Sequence, residues 1–224
     1  MKRIIIKITI VTVILAAAKV YSQGFVNLNF ENATITPVNP LFPNDIYASD
    51  AIPGWTAYLG ANPQNIIGYD TLSEGGASVF LEDTNINSLA PAPLQGTYSV
   101  YLVGASGVFG SDPTSASIGQ TGIIPSSAQS VTFYLGDPYG TFQVSFNGQP
   151  LNYVETGSTT NYGIYKADIS AYAGQTGQLL FTAELESGAI LDRILFSTTP
   201  VPEPSVFALA ALGGLLFGFR RWKS

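Results

Sequence analysis

Residues 130–155 read SVTFYLGDPYGTFQVSFNGQPLNYVE, and this stretch decides the fold. Apolar side chains alternate with other residues over 130–135 and again over 141–146, which is the two-residue period of a half-buried strand. Asn147-Gly148 follows the second run and is a strong local signal for a tight hairpin turn. We therefore predict two strands here, with the chain returning through Leu151 to Glu155.

Further strands are predicted on both sides of this hairpin. Apolar residues alternate over 26–30 and 179–185, and a last strand over 190–196 places Asp192 between apolar neighbours. Residues 98–103 are apolar on both faces, as in a central strand. Residues 32–75 and 104–117 are rich in loops with weaker strands, and Asp168 to Ala173 fits one helical turn before Gly174. About eight to ten strands and almost no helix predict an all-β protein, an antiparallel β-sandwich.

The N-terminus has the three parts of a secretory signal peptide. Lys2, Arg3 and Lys7 supply the positive charge, and an apolar stretch runs over 8–18. Small residues follow, and cleavage is expected after Ser22, which would make residues 1–22 a substrate for signal peptidase. The alternative is an uncleaved membrane anchor, and both readings place the rest of the chain outside the cytoplasm.

The C-terminus combines a proline-rich segment, an apolar run and a basic end. Residues 201–205 read VPEPS, residues 206–219 carry no charge, and Arg220, Arg221 and Lys223 follow. A helix over 206–219 reaches only about 21 Å, against a hydrocarbon core of about 30 Å. Including Ser205 and Trp222 extends the predicted transmembrane helix to 205–222, and its basic end is expected to stay cytoplasmic.

This end resembles the PEP-CTERM sorting signal of exported proteins in Gram-negative bacteria that make exopolysaccharide. The resemblance covers residues 200–224, with Pro202, Glu203 and Pro204 as the motif; Trp222 interrupts the usual basic cluster. It implies transient membrane anchoring, processing by an exosortase, and delivery to the cell surface or extracellular matrix. The alternative is an ordinary, permanent C-terminal membrane helix.

Residues 23–199 are long enough for one domain with its own core. This body has no cysteine, so disulfides cannot stabilise it. Lys166 and Arg193 are its two basic residues against fourteen carboxylates, which gives a net charge of −12. Such a surface repels phosphate backbones, so nucleic-acid binding is excluded, whereas divalent cations would be attracted.

Three segments of the body resemble galactose-binding-like jelly rolls, a superfamily that includes many carbohydrate-binding modules. They read NLNFE over 27–31, GTYSVYL over 96–102 and LDRI over 191–194. The resemblance implies a structural Ca²⁺ held by Glu31 and Asp192, and oxygen ligands of this kind suit that ion. The alternative is that both acids are simply exposed at strand edges.

Aromatic residues offer a possible sugar platform. Trp55 is the only tryptophan of the body, and Tyr58 and Tyr69 follow it closely in sequence. Flat amphipathic rings stack well on sugar faces, so Trp55 and Tyr58 are candidate binding residues. The alternative is that Trp55, which follows a Pro-Gly turn, belongs to the core.

The chain has few of the residue types that commonly act in catalysis. The chain has no histidine and no cysteine, which removes histidine-based triads, cysteine nucleophiles and conventional zinc sites. Glu184 and Glu186 share one face of a predicted strand and could in principle hydrolyse a glycoside. Acidic pairs on strand edges more often keep the edge soluble, so no enzyme activity is expected.

Three functions remain open from the sequence. The first is an exported, non-enzymatic surface or matrix protein with a structural or adhesive role around exopolysaccharide. The second is a carbohydrate-binding module, and the third is a glycoside hydrolase.

Overall fold

The computed structural model describes residues 24–72, 76–84, 91–107 and 112–202. Within these ranges the chain forms fifteen strands, one four-residue α-helix and one 3₁₀ turn. The helix α1 spans Ala48–Ala51, and the 3₁₀ turn spans Ser170–Tyr172. The strands are β1 (Pro37–Asn39), β2 (Phe42–Tyr47), β3 (Thr56–Leu59), β4 (Asn62–Gln64), β5 (Ile66–Tyr69), β6 (Ser78–Asp83), β7 (Tyr98–Val103), β8 (Ala116–Ile123), β9 (Ser130–Tyr139), β10 (Phe142–Phe146), β11 (Gln149–Pro150), β12 (Tyr153–Ser158), β13 (Gly163–Asp168), β14 (Thr176–Ala183) and β15 (Gly188–Ser197).

The strands form two sheets that face each other across one core. The nine-stranded sheet has the order β1-β2-β5-β6-β7-β15-β9-β13-β12, and the six-stranded sheet has the order β11-β10-β14-β8-β3-β4. Phe133 of the first sheet meets Phe181 of the second edge to face, with ring centroids 5.4 Å apart. Both rings are fully buried, so the two sheets pack as a β-sandwich, as predicted.

The decisive hairpin is confirmed. Strands β10 and β11 pair antiparallel around Asn147 and Gly148, whose φ angles of 49° and 74° are those of a tight hairpin turn. The chain then returns in two pieces, β11 and β12, rather than in one strand. The predicted central strand is β7, which pairs with β6 on one side and β15 on the other. The helical turn predicted within 168–173 is the 3₁₀ turn.

The predicted opening strand over 26–30 is wrong. Asn27 and Phe30 have φ angles of 48° and 59°, so the backbone turns here instead of extending. Phe30 is nevertheless fully buried, because the turn directs its ring into the core. Val26 is exposed and Asn27 is buried, so the alternating pattern predicted the burial of Phe30 but neither the burial of these two residues nor the backbone conformation.

The predicted antiparallel pairing holds for the named strand pairs with one exception. Strand β5 runs parallel to β6, with Gly68 opposite Phe80 and Tyr69 opposite Leu81. The expected count of eight to ten strands is too low, because the region over 32–75 contains five short strands. These strands are three to six residues long with little apolar alternation, so their periodic signal is weak.

The two predicted terminal segments, residues 1–22 and 205–222, lie outside the described residues. No helix in the described ranges combines the length and the hydropathy that crossing a membrane requires.

Candidate functional site

Trp55 lies in the core. Its side chain is 5% exposed, and its Nε1–H donates a hydrogen bond of 3.0 Å to the carbonyl oxygen of Asn27. The ring packs against Phe30 and Phe181, with centroids 5.8 and 6.2 Å away. A sugar ring therefore cannot stack on its face, so Trp55 as a sugar platform is wrong and the core alternative is correct.

Tyr58 lies on the other side of the six-stranded sheet. Its neighbour on β3, Ala57, is fully buried in the core, so the alternation of the strand directs Tyr58 outward. The Tyr58 hydroxyl accepts a hydrogen bond of 3.2 Å from Nε2 of Gln178. Because Trp55 packs into the core and Tyr58 points away from it, the two rings do not form one platform.

Trp55 is also one of the residues that line a surface pocket, which we call the amide pocket. Its volume is about 440 Å³. It lies where the end of β2, the start of α1 and the β4–β5 connection meet the residues just before and at the start of β3. The lining residues are Tyr47, Ala48, Ser49, Trp55, Thr56, Gln64 and Asn65.

The walls of the amide pocket are held by backbone hydrogen bonds. The Ala48 N–H donates to the carbonyl oxygen of Asn65 over 2.9 Å, which ties α1 to the connection after β4. The Tyr47 N–H donates to the carbonyl oxygen of Thr36 over 3.2 Å. These two bonds fix the backbone beneath Tyr47 and Asn65, so both side chains are presented on a defined frame.

The side chains of the pocket retain free polar groups. Gln64 donates through Nε2 to the carbonyl oxygen of Asn62 over 3.0 Å, and its own amide oxygen has no partner within the described ranges. The Asn65 side chain likewise makes no hydrogen bond to any described residue. Tyr47 is 40% exposed, so part of its ring is available to a ligand. The pocket thus combines an accessible aromatic ring with unused amide groups.

Two other pockets of the molecule have a charged residue in their lining, and the amide pocket does not. A pocket of about 350 Å³ beside β5 and β6 includes Asp45, and one of about 380 Å³ beside β7 includes Glu186. The amide pocket has no charged residue in its lining, in a body that is strongly acidic overall. Aromatic, amide and hydroxyl groups without charge are the groups that recognise a neutral polar ring.

Glu31 and Asp192, the predicted calcium ligands, do converge on one segment. The Glu31 Oε1 atom accepts hydrogen bonds from the N–H groups of Thr97 and Tyr98, at 2.9 and 3.2 Å. The Asp192 Oδ2 atom accepts the N–H of Gln95 at 3.0 Å and the hydroxyl of Ser99 at 2.9 Å. The two acids therefore hold residues 95–99 between them, an arrangement we call the carboxylate clamp.

Gly96 makes the approach of Glu31 possible. Its φ is 63°, a conformation that favours glycine, and a Cβ at this position would lie 2.1 Å from Oε1 of Glu31. Any side chain here would push the carboxylate away from the turn. Both the φ angle and the close contact with Glu31 therefore require glycine at this position.

The contacts of the clamp are hydrogen bonds to the oxygen atoms of Glu31 and Asp192. The second oxygen of Asp192, Oδ1, accepts the Arg193 N–H at 2.6 Å, so both of its oxygens are engaged. Within the described part of the chain, no three acidic side chains gather as a metal site would require. Calcium between Glu31 and Asp192 therefore stays a prediction, and the contacts themselves support a hydrogen-bonded clamp.

The predicted acidic pair is not on a strand face. Strand β14 ends at Ala183, and Glu184 and Glu186 lie in the turn before β15. Glu186 has a φ of 56°, so the alternation of the strand does not continue through this segment. The expected i, i+2 geometry of two facing carboxylates is wrong, because the strand pattern was extended two residues too far.

Most residues of the predicted sorting signal lie outside the described ranges. Pro202 is described and exposed, whereas Glu203, Pro204, Arg220, Arg221 and Lys223 fall outside the described residues.

Sequence reasoning missed Tyr47, Gln64 and Asn65. All three lie in the region of short strands, where periodicity gives no indication of which side chains share a pocket. The sequence singled out Trp55, and Trp55 does line the pocket, but it is buried and is not a stacking platform.

Comparisons with known proteins give no family. No protein-family model matches the chain, and no curated protein matches it. Among solved structures, TmCBM61 in complex with β-1,4-galactotriose has a TM-score of 0.38 at 15% identity, covering 79% of this chain and all of that one. The enzymatically active domain of bacteriophage CBA120 tailspike protein 4 has a TM-score of 0.33 at 12% identity, covering 65% of this chain and 19% of that one. Similarity at this level is too low to assign a ligand.

Proposed function

We propose that this protein is an exported, non-enzymatic carbohydrate-binding protein whose β-sandwich is a jelly roll of the galactose-binding-like kind. The amide pocket binds a neutral sugar unit of a polysaccharide. The protein acts at the cell surface or in the extracellular matrix, where binding exopolysaccharide gives it a structural or adhesive role.

The composition of the amide pocket carries this proposal. A sugar presents hydroxyl groups at its edge and C–H groups on its faces, so it needs hydrogen-bonding amides beside an aromatic ring. Gln64 and Asn65 supply the amides, and Tyr47 supplies the exposed ring. The pocket volume of about 440 Å³ lies within the range of small-ligand sites.

The absence of catalytic residue types supports binding without chemistry. The whole chain lacks histidine and cysteine, and no carboxylate lines the amide pocket. Hydrolysis of a glycoside needs two carboxyl groups on either side of the scissile bond, and this lining supplies neither.

Delivery to the cell surface is the part of the proposal that rests on the two ends of the chain. The signal peptide over 1–22 would direct export, and the segment over 200–224 would be processed by an exosortase. Mass spectrometry of the mature C-terminus in native cells tests this route. A terminus between Pro202 and Ser205 supports it, and an intact Ser224 would indicate a permanent anchor instead.

Affinity electrophoresis tests the binding function. The full-length protein in mild detergent is run through gels containing neutral polysaccharides, among them galactan, glucan, mannan and xylan. We expect retardation in at least one gel, and we expect Tyr47→Ala to reduce the affinity by about tenfold, a typical effect for a contacting aromatic residue.

Tyr139→Ala is the matched control for this experiment. Tyr139 is also an exposed tyrosine, 48% accessible, but it lines the pocket that includes Glu186. Retardation should survive Tyr139→Ala. Free migration of the wild type in every gel, or equal loss in both variants, would contradict the proposal.

A further inference from the structure

The two basic residues of the body lie on the same face of the same sheet. Lys166 on β13 pairs with Thr132 of β9, and Arg193 on β15 follows Asp192, which pairs with Tyr134 of β9. Strand β9 lies between β13 and β15, so the strands that carry the two cations are about 10 Å apart, with the two residues offset in register along β9. In a body of net charge −12, both cations thus lie on one face of the sheet, on the two strands that flank β9.

Neither cation is neutralised by an ion pair within the described residues. The Lys166 Nζ atom donates to Oγ1 of Thr199 at 3.1 Å, and Nη1 of Arg193 donates to Oε1 of Gln95 at 2.9 Å. The nearby carboxylates are engaged elsewhere. Asp192 accepts three hydrogen bonds, and Oδ1 of Asp168 accepts the N–H and the hydroxyl of Ser170 at 2.8 and 2.7 Å.

Two stacked tyrosines lie close to the two cations. The rings of Tyr134 and Tyr162 are 4.6 Å apart and nearly parallel, at 14°. The guanidinium of Arg193 lies 5.9 Å from the centroid of Tyr134. The hydroxyl of Tyr162 accepts a bond of 3.4 Å from Nε2 of Gln95, so one amide joins the arginine to the tyrosine stack. Both rings are half-buried, which fixes them while leaving part of each accessible.

The backbone around Arg193 is built to hold this arrangement. Arg193 has a φ of 47°, an unusual angle for a residue other than glycine, at a bulge between β15 and β9. Its N–H donates to Asp192, and the Gln95 N–H donates to the same carboxylate. Asp192 therefore positions the backbone of Arg193 and the backbone of Gln95, whose side chain accepts a hydrogen bond from the guanidinium. Local strain of this kind persists where the surrounding contacts enforce it, and such positions concentrate at binding sites.

We infer that this surface, formed by Gln95, Tyr134, Tyr162, Lys166 and Arg193, is a second binding site, and that it takes a carboxylate-bearing sugar chain such as a polyuronate. Charge complementarity selects the ligand, because both cations have donors available for carboxylates. The tyrosines supply ring surface for the sugar itself. We call this surface the cationic face.

The acidity of the rest of the body does not prevent such binding. The Debye length is about 8 Å at physiological ionic strength, so distant surface carboxylates are screened. Asp168 and Asp192 are close to the two cations and lower the local positive potential, but their oxygen atoms already accept hydrogen bonds. Binding to the cationic face should accordingly weaken at high salt, whereas binding of a neutral sugar to the amide pocket should not.

The two sites are far enough apart to act independently. Tyr47 of the amide pocket ends β2, and Arg193 lies on β15, four strand spacings away in the sheet order. At about 4.8 Å per spacing this is roughly 19 Å along the sheet. One domain could therefore contact two polysaccharide segments of different charge, which suits an adhesive role.

Affinity electrophoresis in polygalacturonate tests this inference with the full-length protein. We expect retardation at low salt that falls in 0.5 M NaCl, and about a tenfold loss of affinity for Arg193→Gln and for Lys166→Gln, typical of losing one charge-assisted bond. Arg193→Lys, which keeps the charge, should retain part of the affinity. Lys166 lies on a regular strand, so its variant remains informative if substitution at the bulge disturbs folding.

Two further variants separate this site from the amide pocket. Tyr47→Ala should leave polygalacturonate binding unchanged, and Arg193→Gln should leave neutral-polysaccharide binding unchanged. No retardation by polygalacturonate, or equal retardation of the wild type and of the Arg193→Gln/Lys166→Gln double variant, would overturn the cationic face alone. Failure in neutral gels with salt-sensitive binding to polygalacturonate would instead overturn the amide pocket alone.

Discussion

Two buried carboxylates on the outer face of the nine-stranded sheet, the face away from the core, have opposite environments. Glu82 on β6 is 0% exposed, and Asp192 on β15 is 1% exposed. Ser99 on β7 lies between them, because it pairs with Glu82 across the strands and its hydroxyl donates to Asp192 at 2.9 Å. Asp192 accepts three hydrogen bonds, whereas neither oxygen of Glu82 has a hydrogen-bond partner among the described residues.

The single proton of Ser99 explains part of this difference. A hydroxyl group has one hydrogen to donate, and Ser99 gives it to Asp192 while its oxygen accepts the Leu94 N–H at 2.9 Å. Glu82 lies opposite Ser99 on the neighbouring strand but receives no hydrogen bond from its hydroxyl. Two acids at equal depth thus acquire different roles through one shared neighbour.

The pKa values follow from the same contrast. Burial raises the pKa of Asp192, but hydrogen bonds from Ser99, Arg193 and Gln95 favour its charged form and hold the value at about 6. Burial and the charges of Asp70 and Asp83 raise the pKa of Glu82 to about 8. At neutral pH, Asp192 is therefore mostly a carboxylate that organises the cationic face, while Glu82 is mostly protonated.

Asp192→Ala should cause the largest loss of stability. The substitution leaves the Gln95 N–H, the Arg193 N–H and the Ser99 hydroxyl without their acceptor, and each unsatisfied buried donor costs about 1–3 kcal/mol. We expect the free energy of unfolding to fall by about 3–4 kcal/mol in urea denaturation. Asp168→Ala is the control, because that exposed carboxylate only accepts bonds from Ser170. A similar loss in both variants would show that Asp192 has no special role.

Glu82→Gln should have the opposite sign and depend on pH. Folded protein keeps the Glu82 proton up to a pKa of about 8, whereas the unfolded chain releases it near its ordinary value of 4.5. Stability from this group is therefore complete below pH 4.5 and falls as pH rises towards 8, by at most about 1.4 kcal/mol per pH unit. Glutamine removes that dependence, so Glu82→Gln should melt above the wild type at pH 8 and close to it at pH 4.5.

Glu186→Gln is the matched control for that measurement. It also removes one carboxylate, but from an exposed turn. Melting curves at four pH values between 4.5 and 8 distinguish the two variants. An equal effect of both substitutions would mean that overall charge, rather than the burial of Glu82, sets the pH dependence.

Glu31→Gln should produce a smaller loss, of about 1–2 kcal/mol in the free energy of unfolding, because a charge-assisted acceptor for two backbone N–H groups is weakened. The same melting assay with EDTA separates the clamp from calcium. A hydrogen-bonded clamp predicts an unchanged melting temperature. A fall that added Ca²⁺ reverses would confirm the calcium prediction for Glu31 and Asp192.

The smallest effect is expected at Glu184. It lies beside the turn after β14, outside both proposed binding sites, so Glu184→Gln should change stability by less than about 0.5 kcal/mol. Binding to neutral polysaccharide and to polygalacturonate should also be unchanged. Loss of a polysaccharide-degrading activity in this variant would revive the glycoside hydrolase alternative.

Alternation along the chain predicted strands where they are long and one face is buried. Strands β9, β10 and β14 were recognised because a buried face imposes a period of two, whereas β7 was recognised as a run that is apolar on both faces. The same rule failed at residues 26–30, where positive φ angles at Asn27 and Phe30 break the strand and leave Val26 exposed while Phe30 is buried. It also failed at Glu184, where the strand ends in a turn.

The candidate sites could be predicted only in part, because they depend on which loops meet. Trp55 was identified from its residue type and Asp192 from the resemblance to galactose-binding-like jelly rolls, and both lie beside a proposed site. Tyr47 and Gln64 come from short strands without periodicity, and the two halves of the cationic face, Lys166 and Arg193, are 27 positions apart in sequence. Only the pairing of β13 and β15 with β9 brings them together.

Fluorescence titration tests the central claim, neutral sugar binding in the amide pocket, most directly. Trp55 is the body's only tryptophan and it lines the pocket, so Trp222→Phe leaves a single reporter in the full-length chain. The account predicts a saturable change in Trp55 emission with a neutral oligosaccharide from a panel of such sugars, and its loss in Tyr47→Ala. Emission that no neutral sugar alters, or a titration curve that Tyr47→Ala leaves unchanged, would contradict it.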